Sequence, residues 1–271
     1  MVVSAPLSKD ALKIDAKSTA DRLILLIRKF VENAKLKRSV VGMSGGVDSS
    51  VTAALCAKAL GKDRVIGVAL PERETMNPKD IDDAYEVARQ FDIKFFIVDI
   101  TDILTAFEKS AEVYDRSDRV SNGNLKARAR MMTLYYFANH FGALVVGTSN
   151  KSEILTGYFT KYGDGASDLA PLGDLYKAQG YQLARYLHLP TAVIEKKPTA
   201  GLWPGQFDED ELGVTYENLD LILHGLENHM SPSVIAESLK ISRTLVNRVV
   251  EMWQSSEHKR RGPVILSHVY D

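Results

Sequence analysis

The stretch Ser39-Val40-Val41-Gly42-Met43-Ser44-Gly45-Gly46-Val47-Asp48-Ser49-Ser50 restricts the fold more than any other part of the chain. Ser39 to Met43 is an apolar run that reads as a short buried strand. It breaks at Ser44-Gly45-Gly46, and from Asp48 a helical pattern follows through Val51, Ala54, Leu55, Lys58 and Ala59, ending near Gly61. Strand, glycine bend and helix start together present unpaired backbone N–H groups and the positive end of a helix dipole to an anion. Gly45 and Gly46 allow close approach of a ligand and a positive φ where the bend needs one. Ser44, Ser49 and Ser50 add hydroxyl donors. Asp48 would repel a phosphate unless a cation lies between them, and Mg²⁺ bridging Asp48 to phosphate oxygens is the simplest account. A Walker A loop needs Lys and Ser or Thr where Val47-Asp48 stands, and a dinucleotide fingerprint needs three spaced glycines where only a pair is present.

The rest of the chain supplies a sheet for this bend to sit on. Arg64 to Leu70 reads as a second strand closed by Pro71, Ile93 to Val98 as a third, and Ala143 to Gly147 as a fourth. Helices are predicted between them at 80–91, 102–114 and 124–141, with polar loops at 72–79 and 117–123, the latter mobile. A helix with apolar positions Leu23, Ile24, Ile27, Phe30 and Val31 precedes the first strand, capped by Ser18 or Thr19, and 1–17 reads as an irregular arm. The fold class is therefore α/β, a parallel sheet with helices on both faces, in one domain spanning 1–271. Ligands of such sheets bind at the carboxyl ends of the strands, so Ser44, Leu70, Asp99 and Thr148 are expected to border one crevice. After a helix at 177–187 and a loop at 199–211, helices return over 215–258 as a C-terminal extension.

Bulk properties exclude several classes. The formal net charge of −1 gives no general affinity for polyanions. The single cysteine, Cys56, lies in the apolar part of the helix after the bend, as a core thiol would. One cysteine cannot close an internal disulfide, which suits a reducing compartment. Met1 to Pro6 has neither a basic region nor a long apolar stretch, and no run reaches membrane-spanning length. A cytoplasmic location is expected.

Four clusters in the second half carry chemistry. Thr148-Ser149-Asn150-Lys151-Ser152-Glu153 follows the fourth strand; Thr148 can bond an adenosine group and Glu153 can reach a metal, or the stretch is simply a capped helix start. The run from Gly157 to Asp168 holds three aromatics and two aspartates in glycine-rich sequence, a mark of an ordered functional loop. Lys177 opens a helix at its positive end, where a neighbouring anion would compensate it or solvent would cover it. Glu257-His258-Lys259-Arg260-Arg261 is either a binding cluster or a basic cap on the last helix.

The Ser-Gly-Gly-Val-Asp-Ser bend resembles the pyrophosphate loop of the ATP pyrophosphatase superfamily. Gly123 to Met131, Gly147-Thr148, Gly157-Tyr158-Phe159-Thr160-Lys161-Tyr162-Gly163-Asp164, Lys197-Pro198-Thr199-Ala200, Gly205 to Glu209 and Glu257 to Arg260 follow in the order found in ammonia-dependent NAD⁺ synthetase, and the resemblance spans nearly the whole chain. It implies an adenine nucleotide alpha hydrolase-like, Rossmann-like fold. The implied reaction amidates deamido-NAD⁺ with ammonia through an acyl-adenylate, releasing NAD⁺, AMP and pyrophosphate. Gly42, Met43, Ser44, Gly45, Gly46, Val47, Asp48 and Ser49 would hold the co-substrate ATP, with contacts from Thr148, Lys177 and Thr199. Asp48 and Glu153 would each hold a Mg²⁺. Arg128, Lys161, Asp168, His258 and Lys259 would bind deamido-NAD⁺, at the interface of a homodimer. Ammonium needs a proton acceptor before it can attack, and Asp164 is the candidate, with Asp168 second. Tyr158 either stacks on the pyridine ring or packs in the core. The short stretch before Ser39 is far below the size of a glutaminase domain, which makes free ammonia or a separate protein the nitrogen source.

Two rivals stand beside this. Ser231 to Arg248 reads as a helix-turn-helix in which Ser242, Arg243, Thr244 and Asn247 could face a DNA groove, although Glu237, Glu251 and the absence of a basic surface argue for two packed helices. Another adenylating ligase of the same superfamily, of the tRNA-modifying or GMP-synthetase kind, is the runner-up. It would lack the aromatic Lys-Tyr-Gly-Asp cluster.

Overall fold

A computed structural model describes residues 7–266. Four parallel strands, β1 (Arg38–Gly42), β2 (Val65–Ala69), β3 (Lys94–Ile97) and β4 (Ala143–Val146), form one sheet in the order β3-β2-β1-β4. Between them run α1 (Ala16–Asn33) before β1, α2 (Val47–Leu60) after it, α3 (Pro78–Gln90), α4 (Thr101–Ser110) and the 23-residue α5 (Arg119–Phe141). The register places Ser39 opposite Val65 on one side and Leu144 on the other.

Alternation along β1 sorts the two faces, because successive side chains point to opposite sides of a strand. Val41 packs with α1 and α2 residues such as Ile27, Val51 and Leu55. Val40 joins Ile66, Val68 and Val145 beneath Leu134, Phe137 and Phe141 of α5. Helix α2 is buried almost all round, and its alanines at 53, 54 and 57 let neighbouring elements close in. Cys56 lies in this core with no exposure, and burial pushes its thiol up to about 12.

Beyond β4 the chain forms α6 (Lys151–Thr156), α7 (Lys177–Tyr186), α8 (Thr191–Glu195), α9 (Asp208–Leu212), α10 (Tyr216–Glu227), α11 (Pro232–Leu239) and α12 (Arg243–Ser255). Leu219, Ile222 and Leu223 of α10 pack with Ile235, Val246 and Val249 in a separate apolar core that also takes up Leu7 and Leu12. The helix pair α11–α12 thus buries its inner face against α10, while Arg248 donates to the Glu211 carbonyl at 3.2 Å.

Several local expectations change. The cap of α1 is Asp15, whose carboxylate accepts from Ser18 N–H at 3.1 Å; Ser18 and Thr19 are already inside the helix. The arm at 1–17 contains a 3-10 turn at Lys9–Leu12, and residues 1–6 lie outside the described ones. Residues 119–123 are helix, because Asp118 caps Ser121 N–H at 3.0 Å and Asn122 donates to the Asp115 carbonyl at 2.8 Å. The loop at 199–211 gives way to α9 from Asp208. Asp99 follows the edge strand and turns into α4 by accepting from Thr101 N–H at 2.8 Å; it does not join the crevice at the other three strand ends. Among the described residues no helix is long and apolar enough to cross a membrane.

The buried, poorly ionising thiol has a direct consequence. A thiol reagent at neutral pH is expected to leave Cys56 unlabelled in the folded protein and to label it fully after denaturation. Rapid native labelling would show that the α2 core opens.

Candidate active site

At the carboxyl end of β1 the backbone bends at Gly45, which sits at φ +72°, and α2 begins after Gly46. A Cβ on Gly45 would lie 2.3 Å from the Asp80 carbonyl oxygen, because the first turn of α3 presses on the bend. Gly46 is extended (φ −89°) and a Cβ there would meet only Ser44 Oγ at ordinary contact, 3.4 Å. Ser49 secures the bend from inside: its hydroxyl donates to the Gly46 carbonyl at 3.1 Å and accepts from Ser44 N–H at 3.3 Å. The amides of Val47, Asp48 and Ser49 open α2 and have no intrahelical acceptor. Ser50 departs from expectation. One residue further round the helix, it is fully buried and cannot donate to a ligand.

The bend forms part of a cavity of ≈ 470 Å³ that runs along the ends of β2, β1 and β4. Gly42, Met43, Ser44, Gly46, Val47, Asp48, Ser49, Thr148, Glu153, Lys177 and Thr199 all line it, as do Tyr158, Asp164 and Lys259. Lys177 is 4% exposed, and its ammonium lies 2.5 Å from Asp48 Oδ2 and 3.3 Å from Glu153 Oε1. Burial works against that charge, yet Asp48 and Glu153 more than offset it and hold the lysine above its ordinary value. The expected compensating anions are therefore protein carboxylates. Glu153 also completes a capping box with Asn150 at the start of α6, so one residue both caps the helix and lines the cavity. Burial pushes the Glu153 carboxyl upward, Lys177 pulls it down and Asp48 adds to the rise.

Behind this trio Asp220 accepts from Ser152 Oγ at 2.5 Å and from Ala178 N–H at 2.8 Å, at the start of α7. Asp208, also buried, accepts from Tyr216 OH at 3.0 Å and Tyr158 OH at 3.2 Å. The Tyr158 hydroxyl reaches Glu211 at 2.7 Å as well, so its ring is fixed by its polar end while one side lines the cavity.

Asp164 accepts from Thr160 N–H at 2.9 Å. Burial raises its carboxyl above the usual range, opposed by backbone hydrogen bonds and by Arg130 and Lys259. The Lys259 ammonium donates to the Gly157 and Phe159 carbonyls at 2.7 and 2.9 Å, which ties the C-terminal cluster to the aromatic loop. Four sequence candidates stand away from the cavity wall. Arg128 donates to the Lys161 carbonyl at 3.2 Å, and Lys161 donates to the His258 carbonyl at 2.6 Å, in an exposed chain of contacts. Asp168 accepts from Val145 N–H at 2.8 Å on the edge strand β4.

Lys196 is a cavity residue that sequence reasoning passed over. Its ammonium lies 2.6 Å from Asp80 and 3.3 Å from Asp83 and donates to the Gly45 carbonyl at 3.2 Å. Its only signal was position, immediately before the Lys197-Pro198-Thr199 segment. Arg130, which donates to the Leu70 carbonyl at 3.2 Å, was likewise quoted in a motif without a role.

The fit of a metal can be judged from the donors. Among the described residues no three His, Cys, Asp or Glu side chains gather closely enough to hold a metal ion alone. Asp48 Oδ1 is nevertheless buried without a hydrogen-bond partner, beside Glu153. One or two carboxylates completed by substrate phosphates and water is the usual Mg²⁺ arrangement, and the donors fit it.

A glycine bend at the carboxyl edge of a parallel sheet, with a buried acid–lysine–acid trio beside it, is the build of a nucleotide-binding α/β enzyme. The family model described as NAD synthase matches residues 19–263, and the chain belongs to that family. An NH(3)-dependent NAD(+) synthetase from Methanocaldococcus jannaschii is 50% identical over 90% of this chain and 94% of its own length. A solved NMN synthetase from Francisella tularensis superposes with TM-score 0.83 at 32% identity, covering 94% of this chain and 100% of that one. An NH3-dependent NAD synthetase from Campylobacter jejuni, in complex with the nitrate ion, superposes with TM-score 0.78 at 32% identity, covering 94% and 100%.

The two glycines separate structural from ligand-facing demands. Gly45→Ala is expected to lower stability by more than ~1 kcal/mol, because it strains φ and collides with α3. Gly46→Ala should keep the melting temperature and lose affinity for an ATP analogue. Thermal melts with calorimetric titration of both variants check this.

Proposed function

We propose that this chain amidates the nicotinate carboxyl of deamido-NAD⁺ with ammonia, driven by cleavage of ATP to AMP and pyrophosphate. The observation that carries it is the convergence in one cavity of the glycine bend, the Asp48–Lys177–Glu153 trio and Asp164. The enzyme is a ligase forming a C–N bond.

A carboxylate resists attack by ammonia because its oxygen is a poor leaving group. In the first step that oxygen attacks the α-phosphorus of ATP, the bond from the α-phosphorus to the bridging oxygen breaks, and pyrophosphate departs. The amides opening α2 and the Ser44 hydroxyl would face the departing diphosphate charge, and Lys177, held by Asp48 and Glu153, would supply positive charge beside it. When bound, Mg²⁺ held by Asp48 and Glu153 would neutralise phosphate charge and polarise the P–O bond. In the second step ammonia attacks the activated carbonyl, AMP leaves with the carboxyl oxygen, and a proton must be removed from nitrogen. Asp164 suits that task, since its raised basicity as a carboxylate makes it a better proton acceptor than an exposed aspartate.

The remaining candidates support a binding site completed by a second copy. Arg128, Lys161 and His258 lie outside the cavity, and Met132 and Tyr136 on the same helix as Arg128 are 52% and 69% exposed. A homodimer joined along α5 would cover that face and bring these side chains to the dinucleotide. A cytoplasmic location accords with a biosynthetic ligase that uses ATP. The likeness to the F. tularensis NMN synthetase supports a second acceptor, nicotinate mononucleotide, for the same chemistry.

Two outcomes are expected. Protein, ATP, Mg²⁺, deamido-NAD⁺ and ammonium should yield NAD⁺, AMP and pyrophosphate in equal amounts, and parallel reactions with nicotinate mononucleotide rank the acceptors by kcat/KM; release of ADP would overturn the scheme. Asp164→Asn should slow turnover at saturating ammonium by ~10²-fold. A base acts in its ionised form, so wild-type activity should rise with pH through a carboxyl pKa above the usual range, and that limb should vanish in the variant.

A further inference from the structure

The turn after β2 shows an organisation that the site chemistry leaves unexplained. Glu72 is 5% exposed, yet its carboxylate has three donors. Oε1 accepts from Glu74 N–H at 2.8 Å, and Oε2 accepts from Thr75 Oγ1 at 3.0 Å and from Lys126 Nζ at 2.8 Å. The Glu72 carbonyl accepts from Met76 N–H at 2.8 Å and Thr75 N–H at 3.1 Å, so a single residue ties the whole turn. Lys126 is itself 8% exposed and belongs to α5. Its second partner, Glu74 at 3.1 Å, is on the surface. One turn further along α5, Arg130 holds the Leu70 carbonyl. Helix α5 therefore grips the exit of β2 at two successive levels.

This turn forms the apolar arm of the cavity. Leu70, Pro71, Met76 and Ile81 line it together with Met131 and Leu134 of α5, and Glu72 and Thr75 reach the same wall. The charged arm, with Asp48, Glu153 and Lys177, lies toward β4. With the phosphates at the β1–α2 bend, a flat, mostly apolar base fits the β2 arm and the reacting end fits the other. A buried ion pair is a costly way to brace a turn, and its removal by halves leaves an uncompensated charge. Such a pair is well suited to fixing one backbone shape.

We infer that Glu72 and Lys126 are a positioning pair that shapes the wall receiving the adenine base of ATP, and that they set ATP affinity without touching the reacting atoms. This rests on the functional reading above only in naming ATP as the ligand. Glu72 pins the turn at the cavity wall and Lys126, which does not line the cavity, pins Glu72 to α5, so the pair fixes where Leu70 and Met76 stand.

The experiment uses the full-length protein and titrates a non-hydrolysable ATP analogue calorimetrically without pyridine substrate or ammonium, then measures kcat and KM for each substrate. Lys126→Met and Glu72→Gln are expected to weaken analogue binding and raise KM for ATP by about tenfold or more, with kcat and the KM for the pyridine substrate within about threefold of wild type. Lys126→Arg should restore most of the affinity, because a second cation can reach the same carboxylate. Where Lys126→Met fails to fold, Thr75→Val, which removes one donor to Glu72 and keeps the bulk of the side chain at the wall, should still weaken the analogue by a few-fold. Wild-type affinity in Thr75→Val and in whichever of the other variants fold overturns the proposal, as does a fall in kcat at unchanged KM for ATP. A wild-type protein that binds the analogue but makes no NAD⁺ would defeat the amidation scheme alone, leaving the binding comparison to decide the role of Glu72 and Lys126.

Discussion

The contact of Lys177 with Asp48 and Glu153 is the constraint on which the architecture turns. It joins three segments far apart in the chain: the first turn of α2, the cap of α6 and the start of α7. None of the three charges is stable alone at this depth, since an unpaired buried ion carries a penalty of several kcal/mol. The lysine stands at the positive end of its own helix, which makes the carboxylates more necessary still. Asp220 completes the arrangement from behind by accepting the Ala178 amide and the Ser152 hydroxyl. The acids outnumber the lysine, and Asp48 Oδ1 retains an unused lone pair in a buried place. A site so biased invites a cation that arrives with its own anion, which is how a metal–nucleotide complex behaves.

Helix α5 is the second organiser. Its apolar face covers the sheet through Leu134, Phe137 and Phe141. Its first half carries Lys126 and Arg130 to the β2 exit and Asn124 to the Thr160 hydroxyl at 2.7 Å. One rigid element thereby holds both the turn after β2 and the aromatic loop. A helix keeps such relations because residues three and four apart share a face, and Asn124, Ala127 and Met131 follow that spacing. The exposed positions on the same helix, Arg128, Met132 and Tyr136, form a neighbouring stripe.

The parallel sheet was legible because its strands are buried on both faces and read as unbroken apolar runs, and the bend was legible because an apolar strand, a glycine pair and a helix start carrying Asp48 stand in that order. Thr148, Glu153, Lys177 and Thr199 came through a resemblance in the order of segments, since singly each fits a bland role. Errors gathered where short-range polar contacts compete. Both Asp15 and Ser18 can cap a helix, and here Asp15 has the extended backbone of a cap and accepts from Ser18 N–H. The segment 117–123 is polar apart from Val120, yet Asp115 and Asp118 fold it into a helix start. Ser50 looked like its neighbour Ser49, but a rotation of one helical residue carries it from the ligand side into the core.

By itself the amino-acid sequence determined the alternation of strands and helices, the glycine bend after the first strand and the kinds of side chain available near it. Local pattern and residue chemistry are enough for these, because they depend on neighbours within a few positions. Only the tertiary structure decided which charges meet: that Lys177 is neutralised by Asp48 and Glu153, that Lys196 pairs with Asp80 and Asp83 while donating to the Gly45 carbonyl, and that Glu72 is buried against Lys126. Those pairings join residues tens of positions or more apart, and the free energy of burying a charge is settled by what packing brings within reach of it.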